Sequence, residues 1–474
     1  MDGRWSCRCG RDNPAAFSSC PRCGRRVQMA AARPVPARPE AETQGPAAPT
    51  TTLGPTPSPD AGTSSGAPSG GLPGPGRARP GGTTLAPGAK PLVLGLVAAA
   101  VVVLAIAAGG FAVRRLTATD KKKAPPGTAA NPATPAFDSL EEVVLQLQGF
   151  VERARGLTFK TPVKVTILKD APFLERLDSS SSTDVTDLHA QEATLRALRL
   201  LPDDVDLAQE RKRDLDRVLG FYDPASKELY VKGLGTTPYV RYVLVHELTH
   251  ALQDQQFDLS RLRADNNDAE LAARSVVEGD AQRTMRNYLS TLTVLEQDAI
   301  AREARARQDD IFNQAYYTSF DNFPYVVGMS WNDAVRGTRG QDALDNAFRS
   351  YPRSTAEIMH PDRYLAGIGP TEVSPPAADG PIVDQGVVGE YQLVYLLARV
   401  IDDQDAFGIA QAWGGSRFVT WTTGNRSCTR VRFTMISPAA DRVLAQALGA
   451  WAATTDARVE GTGPVTLTAC HTQP

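Results

Sequence analysis

The pattern of apolar and polar positions divides the chain into unlike regions. Residues 29–90 hold almost no large apolar side chain and are dominated by Pro, Gly, Ala, Thr and Ser. A stretch of that kind cannot offset its ordering entropy by burial and reads as a disordered linker. Residues 91–113, "PLVLGLVAAAVVVLAIAAGGFAV", then run without a charge. That suits one transmembrane helix, which needs about 20 apolar residues. Linker-like sequence stands on both sides, so nothing nearby would bury such a helix in a globular core. A cleavable signal peptide would start near residue 1 and carry a shorter apolar run. Residues 114–134 form a stalk. From 135 to 474 the composition is globular, with enough chain for a two-lobed core.

Within that domain the periodicity alternates between helical and extended. "SLEEVVLQLQGFVERARGL" (139–157) has helical spacing, and "TPVKVTILKD" (161–170) alternates like a strand. "GFYDPASKELYVKG" (220–233) reads as a hairpin whose turn starts at Asp223-Pro224. Thr237 is placed to cap a helix with Pro238 at its first position, and "YVRYVLVHELTHALQDQ" continues it without Gly or further Pro. Helices follow to about residue 350. Residues 416–437 look like a second hairpin, 438–453 like a helix and 463–470 like a final strand. The mixture predicts an α+β fold.

Charge adds little for the whole chain, whose net value is −2. It is uneven, however: residues 1–90 carry 11 Lys+Arg against 5 Asp+Glu. Six cysteines fall in two groups. Cys7, Cys9, Cys20 and Cys23 form two close pairs, each followed by glycine. Residues 1–28 are too few to bury a core, so a tetrahedral zinc held by four thiolates is the expected organiser, with two disulfides as the alternative. The order Trp5, two Cys, Asn13, two Cys resembles small zinc ribbons of the RanBP2 type, with a narrower first pair. Only Trp5 and Phe17 offer stacking surfaces there, so nucleic acid is not an expected partner. Cys428 and Cys470 lie on predicted C-terminal strands and are the only cysteines beyond the apolar span. They are expected to form a disulfide, with two separate buried thiols as the alternative. Arg114, Arg115 and Lys121 to Lys123 after the span slightly outnumber Arg77, Arg79 and Lys90 before it, which favours a cytoplasmic C-terminus. The cysteines argue the other way, since thiolate zinc suits a reducing compartment and a distal disulfide an oxidising one. The expectation is a single-pass membrane protein with the ribbon in the cytoplasm and the large domain outside.

The candidate chemistry sits in "VLVHELTHALQDQ" (243–255). His246 and His250 are four apart, so on a helix they project from one face and can converge on one metal. Glu247 lies beside them, placed to take a proton from a water at that metal. Two histidines in an ordinary core helix are the bland alternative. A zinc site needs a third protein ligand, and "DAELAARSVVEGDAQRTM" (268–285) offers Glu278, 28 residues after His250. Glu270 on the same segment is the alternative ligand. Gly279 costs about 1 kcal/mol in a helix interior, so a packing or site reason is expected for it. Asp280 is placed to hold a ligand imidazole by its other nitrogen.

These residues carry a resemblance. "HELTHALQDQQFDL" followed by "VVEGDA" is similar to the gluzincin group of zinc metallopeptidases, to which thermolysin belongs, and especially to its bacterial membrane-anchored members. The hairpin at 220–233 and the blocks "YPRSTAEIMHPDRY" (351–364) and "AWGGSRFVTW" (412–421) extend the likeness over roughly residues 137–430. In thermolysin-like sites an Asp follows the ligand Glu by four residues; here Gln282 stands there. The resemblance implies a zincin-like domain with a small sheet, active-site helices and a mainly helical second lobe. It implies zinc on His246, His250 and Glu278, with Glu247 as general base for peptide-bond hydrolysis. His360, then Tyr364, are the candidates to stabilise the oxyanion, and either can instead be structural. Residues 228–232 are expected to offer a strand edge to an extended peptide. Two zinc ions, a peptide or protein substrate, the membrane and a cytoplasmic partner for the ribbon are therefore the expected company. The rival function is a non-catalytic, zinc-stabilised binding or adaptor domain outside the membrane, coupled to the ribbon.

Overall fold

The computed structural model describes residues 4–6, 12–14, 139–180, 184–233, 235–262, 264–306 and 315–472. The ribbon cysteines, the linker, the apolar span 91–113 and the stalk lie outside the described residues. Among the described residues no helix is long and apolar enough to cross a membrane. Near the N-terminus only a short antiparallel ladder is described, β1 (Arg4–Ser6) with β2 (Asp12–Pro14).

The rest is a mixed α+β structure, mostly helical, with small sheets. Helix Leu140–Arg155 begins at a capping box, in which Ser139 and Glu142 exchange side-chain and backbone bonds, and ends at Gly156 with φ 70°. A left-handed backbone there is what glycine tolerates best. Strands β3 (Lys164–Leu168), β4 (Gly220–Asp223) and β5 (Glu228–Lys232) make a three-stranded sheet in the order β3-β5-β4. β3 runs parallel to β5, and β4 antiparallel. The segment 228–232 is thus the central strand, paired on both sides, and offers no free edge to a peptide. β4, not β5, ends the sheet on that side.

The hairpin and the final strand expected over residues 416–437 and 463–470 are present and belong to a larger C-terminal sheet with two further strands. Strands β6 (Ile382–Gly386), β7 (Trp413–Thr423), β8 (Arg426–Met435), β9 (Ala457–Glu460) and β10 (Val465–Thr472) order as β6-β7-β8-β10-β9, all antiparallel. Cys428 and Cys470 stand directly opposite each other on β8 and β10 and are bonded, with Cα atoms 4.0 Å apart.

Two long helices pack on each other in the core, and the first of them also packs on β4 and β5. The motif helix, Pro238–Phe257, is capped by Thr237, whose side chain accepts the Val240 amide, and has proline at its first turn. It is buried from Tyr239 to Asp254 except at Arg241. A helix enclosed on all sides shows no amphipathic stripe, which is why capping and motif, not periodicity, mark it in the sequence. The ligand helix, Asn267–Thr291, starts at Asn266, whose side chain accepts the amides of Asp268 and Ala269. Helix Ala315–Arg339 packs along it at a point where neither chain has a side chain. A Cβ on Gly279 would stand 2.5 Å from both the Gly328 carbonyl oxygen and Asn332 Nδ2. A Cβ on Gly328 would collide with the Ser275 carbonyl. Asn332 fastens the crossing, its amide nitrogen 3.2 Å from the Ser275 carbonyl and 3.3 Å from that of Val276 on the ligand helix. The glycine beside Glu278 therefore has a packing reason.

Candidate metal centre

His246, His250 and Glu278 converge in the interior, with exposures of 0%, 2% and 1%. The two histidine Nε2 atoms are 3.0 Å apart. Glu278 Oε2 is 3.2 Å from the first and 3.4 Å from the second. Four-residue spacing on the motif helix aligns the two rings, and the ligand helix supplies the carboxylate across the crossing. Two imidazole nitrogens this close repel unless a proton or a cation lies between them. A tetrahedral zinc with bonds of about 2.0–2.1 Å to such ligands needs donor atoms about 3.3 Å apart. The three donors match that spacing and that ligand chemistry. Among the described residues this is the one group of three His, Cys, Asp or Glu side chains able to hold a metal. Glu270, two turns earlier on the ligand helix, is not part of it.

Without a metal the centre is held by charge. Burial opposes ionisation of Glu278, but the two imidazoles overcome it and pull the carboxyl well below its ordinary range. Burial likewise lowers His250, yet Glu278 raises it to about 9. A metal ion held there would compete with protons for these donors.

Glu247 lies beside the three donors. Its Oε2 accepts the backbone amide of Tyr222 on β4 at 2.9 Å, while Oε1 is buried without a hydrogen-bond partner. Burial, opposed by His250 and by the Tyr222 amide, pushes its carboxyl up to about 8. The hairpin that supplies this amide is itself pinned to the motif helix. Tyr222 donates its hydroxyl to Asp254 at 2.7 Å, and Lys227 binds the same carboxylate at 2.7 Å. The arrangement leaves one carboxylate oxygen of Glu247 fixed and the other open for a proton.

Asp280 does not hold an imidazole itself. Gln253 stands between, with Oε1 3.0 Å from His250 Nδ1 and Nε2 2.9 Å from Asp280 Oδ2. Asp280 also binds Arg155 at 2.6 Å and Arg283 at 3.0 Å. These two guanidiniums outweigh the effect of burial and keep its carboxyl below the usual range. The physical reason is register: residue 280 follows the ligand by two on its helix and so points away from the ligand face. Gln253 had a local signal, lying three residues after His250 on the same helix face. Arg155 had one too, since it continues the buried stripe Val144, Leu147 and Val151 of its helix as its one charged member.

His360 and Tyr364 are engaged elsewhere. His360 Nε2 is 2.7 Å from Glu390 Oε1, and the Tyr364 hydroxyl donates to the Ser350 carbonyl at 2.9 Å. Neither has a described contact with the three donors or with Glu247. The structure instead brings Tyr325 to the centre from helix Ala315–Arg339. Its ring lies over His246 with centroids 6.1 Å apart and planes 28° from parallel. Burial, then the fields of Glu278 and Glu247, raise its phenol well above the ordinary value, so it keeps its proton. A tyrosine 47 residues beyond Glu278 gives no local sign of that role in the sequence.

No protein-family model and no curated protein matches the chain. A crystal structure described as that of "a putative hydrolase with a novel fold" from Chloroflexus aurantiacus overlaps 48% of this chain and 88% of that one, at 17% identity and a TM-score of 0.28. A likeness of that size carries no argument about activity, so the functional reading rests on the geometry.

Proposed function

We propose that the chain is a membrane-anchored, zinc-dependent peptide hydrolase whose centre is His246, His250 and Glu278. The observation that carries the reading is the pairing of three buried donors at zinc spacing with a neighbouring carboxylate whose Oε1 has no partner. A zinc ion held there would polarise a carbonyl and bring the pKa of a water towards ~7. Glu247 takes the proton of the attacking water on Oε1 while its Oε2 stays on the Tyr222 amide, and then returns that proton to the leaving nitrogen. Tyr325, which stays protonated, donates to the developing oxyanion. His360 and Tyr364 have no part in this scheme.

In the same reading, residues 1–28 hold a second zinc on Cys7, Cys9, Cys20 and Cys23, and residues 91–113 anchor the domain outside the cytoplasm. The Cys428–Cys470 bond supports an oxidising location for the domain. The rival, a zinc-stabilised binding domain, draws support from the near-complete burial of the centre. An orphaned carboxylate oxygen beside the metal donors has no use in a purely structural site. The test is hydrolysis of an unstructured protein by the purified full chain. Cleavage that is lost on chelation and restored by zinc is expected. Zinc bound with no cleavage of any peptide would favour the binding domain.

A further inference from the structure

Resting on the metal-centre reading above, we infer that Gln253 is a positioning residue that fixes the tautomer of His250, anchored in turn by Asp280 and Arg155. The argument starts from the carboxamide, whose two ends differ in what they can do. Its nitrogen only donates, and it faces two acceptors, the Val277 carbonyl at 3.1 Å and Asp280 Oδ2 at 2.9 Å. Neither can donate in return: one is a backbone carbonyl, and both oxygens of Asp280 already accept from guanidinium groups, Oδ2 from Arg155 and Oδ1 from Arg283. The oxygen end must therefore face His250, 3.0 Å from Nδ1. An oxygen there requires a proton on Nδ1. The neutral ring then has a bare Nε2, and this is the atom that meets His246 Nε2 and Glu278 Oε2.

The anchoring is unusual for its reach. Asp280 is buried completely, and so is the Arg155 side chain that binds it. Arg155 closes the first helix of the domain and also binds Asp345 at 3.0 Å. One chain of hydrogen bonds thus ties the ligand imidazole to the ligand helix and the N-terminal helix. Gln253 is the link that converts a charged anchor into a neutral acceptor at the ring. A carboxylate in direct contact would make the ring more basic; the carboxamide sets its orientation without adding charge.

The test is metal affinity, measured on the full chain with cobalt(II) alone, whose visible spectrum separates a nitrogen–oxygen site from a thiolate site. Competition with a chelator gives the dissociation constant. Loss of such an orienting partner costs about 10–100-fold in metal affinity, so Gln253→Met, which keeps the shape and removes all three bonds, is expected to weaken the nitrogen–oxygen site by that factor. Gln253→Glu keeps an oxygen on Nδ1 and, in its protonated form, still donates to Asp280 without adding charge, so at mildly acidic pH it is expected to stay within a few-fold of wild type. Melting of the metal-free proteins shows whether each is folded, and Gln253→Glu decides the matter should Gln253→Met not fold. Wild-type affinity in folded Gln253→Met, or equal weakness in Gln253→Glu, overturns the inference while leaving the metal centre standing. A wild-type chain with no nitrogen–oxygen cobalt signal overturns the metal centre and this inference together.

Discussion

Replacing Gly279 by alanine probes how the ligand helix is seated. Two effects oppose each other. Alanine in a helix interior is worth about 1 kcal/mol over glycine, so on propensity alone the variant should gain stability. The new Cβ, however, stands 2.5 Å from the Gly328 carbonyl oxygen, where ordinary contacts begin at 3.4 Å. The obstacle is backbone and cannot swing aside, so the two helices must part by about an ångström. Overpacking of a close-packed core costs about 1–3 kcal/mol, and weakening the Asn332 bonds across the crossing adds about 1 kcal/mol. The steric term wins, for a net loss of about 1–3 kcal/mol and a melting temperature lower by several degrees. Because Glu278 and Tyr325 sit on the two helices being separated, zinc affinity falls as well. The assay is thermal unfolding of the metal-free protein beside Gly337→Ala. Gly337 lies on the partner helix with nothing within 4 Å of its Cβ position, so alanine there gains up to about 1 kcal/mol. A Gly279→Ala protein that melts at or above wild type would refute the reasoning.

Three other outcomes are expected. Tyr325→Phe lowers the hydrolysis rate by about 10²–10³, the usual effect of removing one oxyanion donor, with zinc content unchanged; an unchanged rate removes Tyr325 from the scheme. Burial raises the Asp268 carboxyl to about 7 against the pull of the Thr355 hydrogen bonds, with Glu390 and Glu357 adding to the rise. The folded chain then binds this proton more tightly than the unfolded one, so stability falls as pH rises from about 4 to about 7 and stays low above that. Asp268→Asn, whose one carbonyl oxygen still accepts from Thr355, flattens that part of the melting-temperature profile; an identical profile would contradict the assignment. Cys428 and Cys470 close a loop with a sequence separation of 42, for which the chain-entropy account gives about 4 kcal/mol. The double Cys→Ser variant should therefore melt well below wild type, and free thiols in the native protein, detected by alkylation, would show that the bond is not made.

How far the sequence foretold this structure depends on the range of the signal. Thr237, Pro238 and the His246–His250 spacing are local, so the motif helix and two donors are readable directly. Glu278 is readable because one helix and one loop suffice to bring it back. The edge assigned to residues 228–232 fails for a longer-range reason: whether a strand is central depends on its pairing with β3, about 60 residues earlier. β6 and β9 escape notice because each is short and largely exposed, with little apolar alternation. The place at the imidazole expected for Asp280 is taken by Gln253 through helix register. A carboxylate looks like the better partner for an imidazole, but the carboxamide is on the correct face. His360 and Tyr364 are suggested by resemblance to later sequence blocks, whereas Tyr325 reaches the centre only through the Gly279–Gly328 crossing, which no window of sequence contains.

Zinc content and peptide hydrolysis, measured together on Glu247→Gln and Glu278→Ala in the full chain, test the central claim most directly. Glu247→Gln keeps the three donors and the contact to the Tyr222 amide's side of the pocket but loses the proton acceptor. It should retain zinc at the buried centre while hydrolysis falls about 10²–10⁴-fold. Glu278→Ala removes one of three donors and should lose both that zinc and the activity. Undiminished hydrolysis in Glu247→Gln, or full zinc at the centre in Glu278→Ala, would contradict the account.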